Sequence, residues 1–84
     1  MDREQIIGKL KAIVKPYTSN IEAYDNLTED TDFLKDLNIN SANLVDIVLD
    51  VEEAFAIVID NADMEKMLNV KASIDIIESR LAQQ

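Results

Sequence analysis

Ser41-Ala42-Asn43-Leu44-Val45-Asp46-Ile47-Val48-Leu49-Asp50-Val51-Glu52-Glu53-Ala54-Phe55 is the stretch that decides the fold class. At about 100° per residue, Leu44, Ile47, Val48, Val51 and Phe55 fall within one arc of a helix. Ala42, Asp46, Leu49 and Glu53 line the opposite side, flanked by Val45 and Asp50, so the outer face is acidic with apolar residues interleaved. Upstream, Asp36-Leu37-Asn38-Ile39-Asn40 is a loop end that delivers Ser41 to the helix start. Two readings of that serine stand side by side. Ser41 or Asn40 is an N-cap, as both residue types often are. Alternatively Ser41 is a modification site, because the unpaired N–H groups and positive dipole end of a helix favour an anionic phosphate by about 0.3 to 1 kcal/mol when exposed.

Working outward, Asp2 is placed to cap a first helix with Gln5 reaching back to it, and Ile6, Ile7, Leu10, Ile13, Val14 and Tyr17 recur at helical spacing. Pro16 disfavours helical geometry at Lys15 and predicts an end there, while Gly8 costs about 1 kcal/mol relative to Ala. From Thr18 to Asn40 the period is lost among Asn, Asp, Ser and Thr, with Ser19 and Glu22 placed to cap a single turn. This predicts a long loop pinned by Leu27, Phe33, Leu34 and Leu37. Beyond Phe55, Ile57 to Ile59 reads as an extended connection, since no second strand is available to pair with it. Asp60 or Asn61 caps a short helix carrying Met64, Met67 and Leu68, and Asn69 caps a last helix striped with Val70, Ile74, Ile77 and Leu81. The expectation is an all-α bundle of four helices, three longer and one short, in a single domain over residues 1–84.

The 84 residues contain 17 acids and 8 bases, giving −9 with no Cys and no His. No thiolate or imidazole ligand, disulfide or Ser-His triad is available. A hydrophobic fraction of 48% is enough for a core. The apolar runs are too short to span a membrane, and the start has no apolar signal segment, so a cytoplasmic location without membrane insertion is expected. Asp36, Asp46, Asp50, Glu52, Glu53, Asp60, Asp63 and Glu65 fall in a stretch with no Lys or Arg, which holds −8 of the total charge. Repulsion from phosphates argues against nucleic acid, and protein partners are expected to bring basic surfaces. No metal site is expected, because Asp25 to Asp32 lacks the alternating ligands and central Gly of a calcium loop. Glu52 and Glu53 point about 100° apart on a helix and do not form an acid/base pair, so no catalytic residues are assigned.

From Asp36 onward the sequence resembles the acyl carrier proteins. In that family Asp-Leu-Gly-x-Asp-Ser-Leu opens the second helix, and an acidic stretch ending Glu-Glu-x-Phe follows. The corresponding residues here run from Asp36 through Ser41 and Ala42 to Glu52-Glu53-Ala54-Phe55. Ile57 to Asp60, Met64 to Met67 and Val70 to Ile77 resemble the later family segments, so the likeness covers roughly Phe33 to Leu81.

The resemblance implies a non-enzymatic phosphoprotein carrier on an acyl-carrier-like bundle. Its Ser41 would bear covalent 4′-phosphopantetheine and hold acyl groups as thioesters for fatty acid, lipid or polyketide biosynthetic enzymes. It further implies a monomer served by a phosphopantetheinyl transferase. Acyl-transferring or ketosynthase-type partners would dock through Ala42, Val45, Asp46, Leu49, Asp50, Glu52 and Glu53. An acyl pocket would be lined by Ile47, Val51, Ile59, Met64, Met67 and Ile74. Three positions depart from the family pattern: Asn38 stands for Gly, Asn40 for Asp and Ala42 for Leu. They point to a specialised carrier; an aminoacyl or peptidyl carrier and an unmodified helical adaptor are the alternatives.

Overall fold

Asp2 starts α1 (Arg3–Val14) through a complete capping box, its carboxylate accepting from Gln5 N while the Gln5 side chain accepts from Asp2 N. These contacts come from a computed structural model that describes residues 2–83. After α1 a single 3₁₀ turn spans Lys15–Tyr17. Lys15 keeps right-handed helical angles before Pro16, contrary to the sequence expectation. Pro16 sits at the start of the tighter turn, where a missing N–H costs little.

The long connection to the next long helix contains α2 (Ile21–Asp25), capped by Asn20 rather than Ser19. Tyr24 docks α2 onto α1 by donating to Lys11 O at 3.1 Å, with the Lys11 ammonium 5.2 Å from its ring centre. Then follow α3 (Ser41–Phe55), α4 (Asn61–Lys66) and α5 (Val70–Ala82), capped by Asn40, Asp60 and Asn69 respectively. The described residues are thus all-helical apart from an isolated bridge between Asp32 and Asn69.

The α3 stripe is buried as its period requires: Leu44, Ile47, Val48, Val51 and Phe55 all lie in the core. Ile6, Leu10 and Val14 of α1 and Val70, Ile74 and Ile77 of α5 meet them, and α1 packs against both α3 and α5. Between α3 and α4 the chain is extended, so Ile57 and Ile59 point inward while Val58 is 76% exposed. Leu68, expected on the short helix, lies beyond it and is largely exposed. Arg80 of α5 holds α4 through Asp60, at 3.0 Å, and Asp63. The Asp63 N–H and this guanidinium lower the Asp60 carboxyl below its ordinary range.

Two backbone positions are mismatched to their residues. Ala56 closes α3 in the left-handed region at φ 54°, a conformation that favours glycine. Gly8 sits inside α1, exposed, with open space where a Cβ would project. Gly8→Ala with Ala56→Gly is therefore expected to stabilise by about 1–2 kcal/mol in total. That would raise the thermal midpoint by roughly 4–16 °C, measurable by circular dichroism.

Candidate functional site

The loop leading into α3 is built from the core outward. Phe33, Leu37 and Ile39 are buried. Phe33 N donates to Leu68 O at 3.0 Å and Ile39 N to Phe33 O at 2.9 Å, tying the loop to the α4–α5 connection and closing it on itself. Asp32 Oδ1 accepts from Leu34 N and Lys35 N, and Asp36 Oδ2 accepts from Asp32 N. Asn38 then turns the chain with φ 56°, which Asn tolerates better than any residue except Gly. The left-handed geometry accounts for the glycine of the resemblance, and the tolerance of Asn for it is what lets Asn38 stand there.

Asn40 is the N-cap, its Oδ1 accepting from Ala42 N at 2.8 Å. That frees Ser41. It occupies the first turn of α3 and is exposed, and among the described residues its hydroxyl enters no hydrogen bond. The cap and modification readings of Ser41 thus separate: Asn40 performs the first, which leaves the Ser41 hydroxyl available for the second. The positive end of a 15-residue helix lies beside it.

Along the outer face of α3, Ala42, Val45, Asp46, Leu49 and Glu53 are exposed, with Val45 at 46% and Leu49 at 56%. The other two acids on the sequence-derived docking set have partners inside the fold. Asp50 accepts a 2.9 Å hydrogen bond from the Tyr17 hydroxyl, which that bond, burial and the carboxylate charge push above its ordinary pKa. Glu52 Oε2 accepts from Ile59 N at 2.8 Å and so fixes the extended α3–α4 connection. Sequence reasoning missed both, since nothing near Asp50 or Glu52 in the chain announces a donor arriving from elsewhere. It also missed Thr18, Ser19 and Asn20, which bond to the loop before Ser41.

The six residues expected around an acyl chain belong to the packed interior. Ile47, Val51, Met67 and Ile74 are at most 1% exposed, Ile59 is buried, and Met64 is partly buried. None of them lines the hollow of about 400 Å³ bounded by Arg3, Glu4, Ile7, Leu27, Thr28, Glu29 and Val70.

No family model matches the chain. It is 38% identical over 81 residues to a curated protein named acyl carrier protein from Coprothermobacter proteolyticus, covering 96% of each chain. It is 35% identical over 79 residues to the acyl carrier protein of Thermotoga maritima, covering 94% of this chain and 95% of that one. With the acyl carrier protein of Rubrobacter xylanophilus the identity is 31% over 77 residues, 92% and 93% of the respective chains. Likeness at these identities over nearly the whole of each chain places this chain in the acyl carrier protein family, as a carrier and not a catalyst.

Proposed function

We propose that the chain carries acyl groups between biosynthetic enzymes of the fatty acid, lipid or polyketide type, on 4′-phosphopantetheine joined to Ser41 Oγ as a phosphodiester. The observation that carries this reading is the state of Ser41: an exposed hydroxyl, relieved of capping by Asn40, at the positive end of α3. A phosphodiester fits there because the helix end favours its negative charge. When attached, the arm supplies the thiol that a chain without cysteine lacks. A phosphopantetheinyl transferase is the partner required for attachment: Ser41 Oγ displaces 3′,5′-ADP at the pyrophosphate of coenzyme A, one P–O bond forming as another breaks and the hydroxyl proton being lost. Incubating the purified chain with coenzyme A and a broad-specificity transferase, then reading the intact mass, tests this; the gain of one phosphopantetheine is expected.

Partners with basic surfaces would dock on α3. Asp46 and Glu53 are the exposed acids of its outer face, with Val45 and Leu49 as apolar contacts between and beside them. Asp50 and Glu52 add charge to the same helix while being held by Tyr17 and Ile59. Exposed charges mainly set association rate and salt dependence, which suits brief encounters. Replacing Asp46 by Asn and Glu53 by Gln should weaken binding to an acyl-transferring partner by roughly 3- to 10-fold at low salt. The effect should shrink to less than about 2-fold near 1 M salt, where screening acts over about 3 Å. Titration calorimetry at both ionic strengths checks it, and an equal loss at both would count against electrostatic docking.

Departures at Asn40 and Ala42 support a specialised pathway. Asn40 caps α3 without bringing the charge of an Asp beside Ser41, and Ala42 offers little apolar surface there, shifting apolar contact to Val45 and Leu49. An acyl chain received between α3 and α4 requires Ile47, Val51, Ile59, Met67 and Ile74 to part, with Met64 as the adaptable residue at the edge. Burial of about 0.8 kcal/mol per methylene favours that opening. No described helix is long and apolar enough to cross a membrane. The carrier reading itself implies a cytoplasmic monomer as the working form.

A further inference from the structure

Three consecutive side chains between the 3₁₀ turn and α2 reach three consecutive residues just ahead of Ser41. Thr18 Oγ1 donates to Leu37 O at 2.7 Å, Asn38 Nδ2 donates to Ser19 Oγ at 3.1 Å, and Asn20 Nδ2 donates to Asp36 O at 2.9 Å. They satisfy two loop carbonyls and anchor the side chain of the one residue that turns the chain through the left-handed region before α3. Asn20 has a second task, since its Oδ1 accepts from Ala23 N at 3.1 Å and caps α2. A carboxylate at position 20 keeps that cap but has no proton to give Asp36 O.

We infer that Thr18, Ser19 and Asn20 are positioning residues for modification of Ser41. They form a strap that holds Asp36–Asn38 in one conformation, so that the serine three residues beyond is presented in one geometry. The inference rests on the carrier reading of Ser41. The strap lies ahead of the exposed row on α3, so losing it acts on the chemical step at Ser41 and leaves transferase docking on Asp46 and Glu53 intact.

The test is steady-state modification of the full chain by a broad-specificity phosphopantetheinyl transferase with coenzyme A, on wild type and on Asn20→Asp, Thr18→Val and Thr18→Ser. Asn20→Asp, which loses its donation to Asp36 O, and Thr18→Val, which loses both the donation to Leu37 O and the 3.2 Å bond that Thr18 Oγ1 accepts from Asn20 N, should each lower kcat by roughly 3- to 10-fold, with KM for the protein within about 2-fold. Thr18→Ser keeps the donor and should modify like wild type. Amide hydrogen exchange on the same unmodified variants should accelerate at residues 36–44 while the α1 core residues Ile6, Leu10 and Val14 keep wild-type protection. The strap's role is overturned if wild type is modified and the first two variants match its kcat, if the loss appears only in KM, if Thr18→Ser is as slow as Thr18→Val, or if exchange rises equally in α1. Failure of wild type itself to be modified by any transferase is a different result: it overturns the carrier reading, and the strap's role with it.

Discussion

Ser41→Ala is expected to abolish phosphopantetheine attachment entirely while leaving a folded bundle. The total loss follows from chemistry: the phosphodiester needs the Ser41 hydroxyl, and no neighbouring group can replace it at that point on α3. Ala42 and Asn43 follow it, and Asn40 before it is occupied in capping. The preserved fold follows from the same geometry. The α3 cap is a bond from Ala42 N to Asn40 Oδ1, and Asn40 O accepts from Leu44 N at 3.2 Å, so neither contact uses the Ser41 side chain. Alanine is also the better helix former in the first turn. The thermal midpoint should therefore stay within about 4 °C of wild type, corresponding to less than about 1 kcal/mol. Circular dichroism and intact mass on the same sample read both halves, and a melting loss comparable to that of a missing cap would show that Ser41 is structural after all.

Phe33→Ala is the substitution with the largest expected cost in stability. Phe33 is 1% exposed, and its backbone joins the α4–α5 connection through Leu68 O and closes the loop through Ile39 N. Deleting the ring leaves a cavity among residues drawn from the loop and several helices, costing about 3–5 kcal/mol. A chain of this size has a total stability of about 4–13 kcal/mol, so this single change removes a large share of it and, at the lower end of the range, brings the variant to the point of unfolding at room temperature. A fall in thermal midpoint of more than about 12 °C is expected, and a fall below about 4 °C would mean that the loop closes over the gap. Because Phe33 anchors the segment that ends at Ser41, modification should slow in the folded fraction as well.

Much of this architecture is legible in the sequence, for reasons particular to each element. The α3 stripe is readable because four turns of one period leave little freedom over which residues face inward, and all five predicted core positions are buried. The caps Asp2 and Asn69 are readable because their residue types and spacing name one bond each. Lys15 misled the reading because the avoidance of helical angles before proline is a preference, and the 3₁₀ turn Lys15–Tyr17, which takes in both residues, overrides it. At Ser41 and Asn40 the residue types alone permit either to cap, and only the backbone geometry separates them. Thr18 and Asn20 signal only a loop and Ser19 only a local cap, since the groups they meet, two carbonyls and the Asn38 side-chain amide, lie 16 to 19 residues away. The same holds for Asp50 and Glu52, whose exposure angle follows from the helix period but whose donors, Tyr17 and Ile59 N, come from other segments.

The central claim is that Ser41 is the attachment point of a carrier arm, and peptide-level mass spectrometry of the wild-type chain after reaction with coenzyme A and a broad-specificity transferase tests it most directly. The account predicts one phosphopantetheine per chain, found on the proteolytic peptide that contains Ser41 and absent from peptides containing Ser19, Ser73 or Ser79. No addition with any transferase, as an unmodified helical adaptor would give, or addition at another serine, would contradict it.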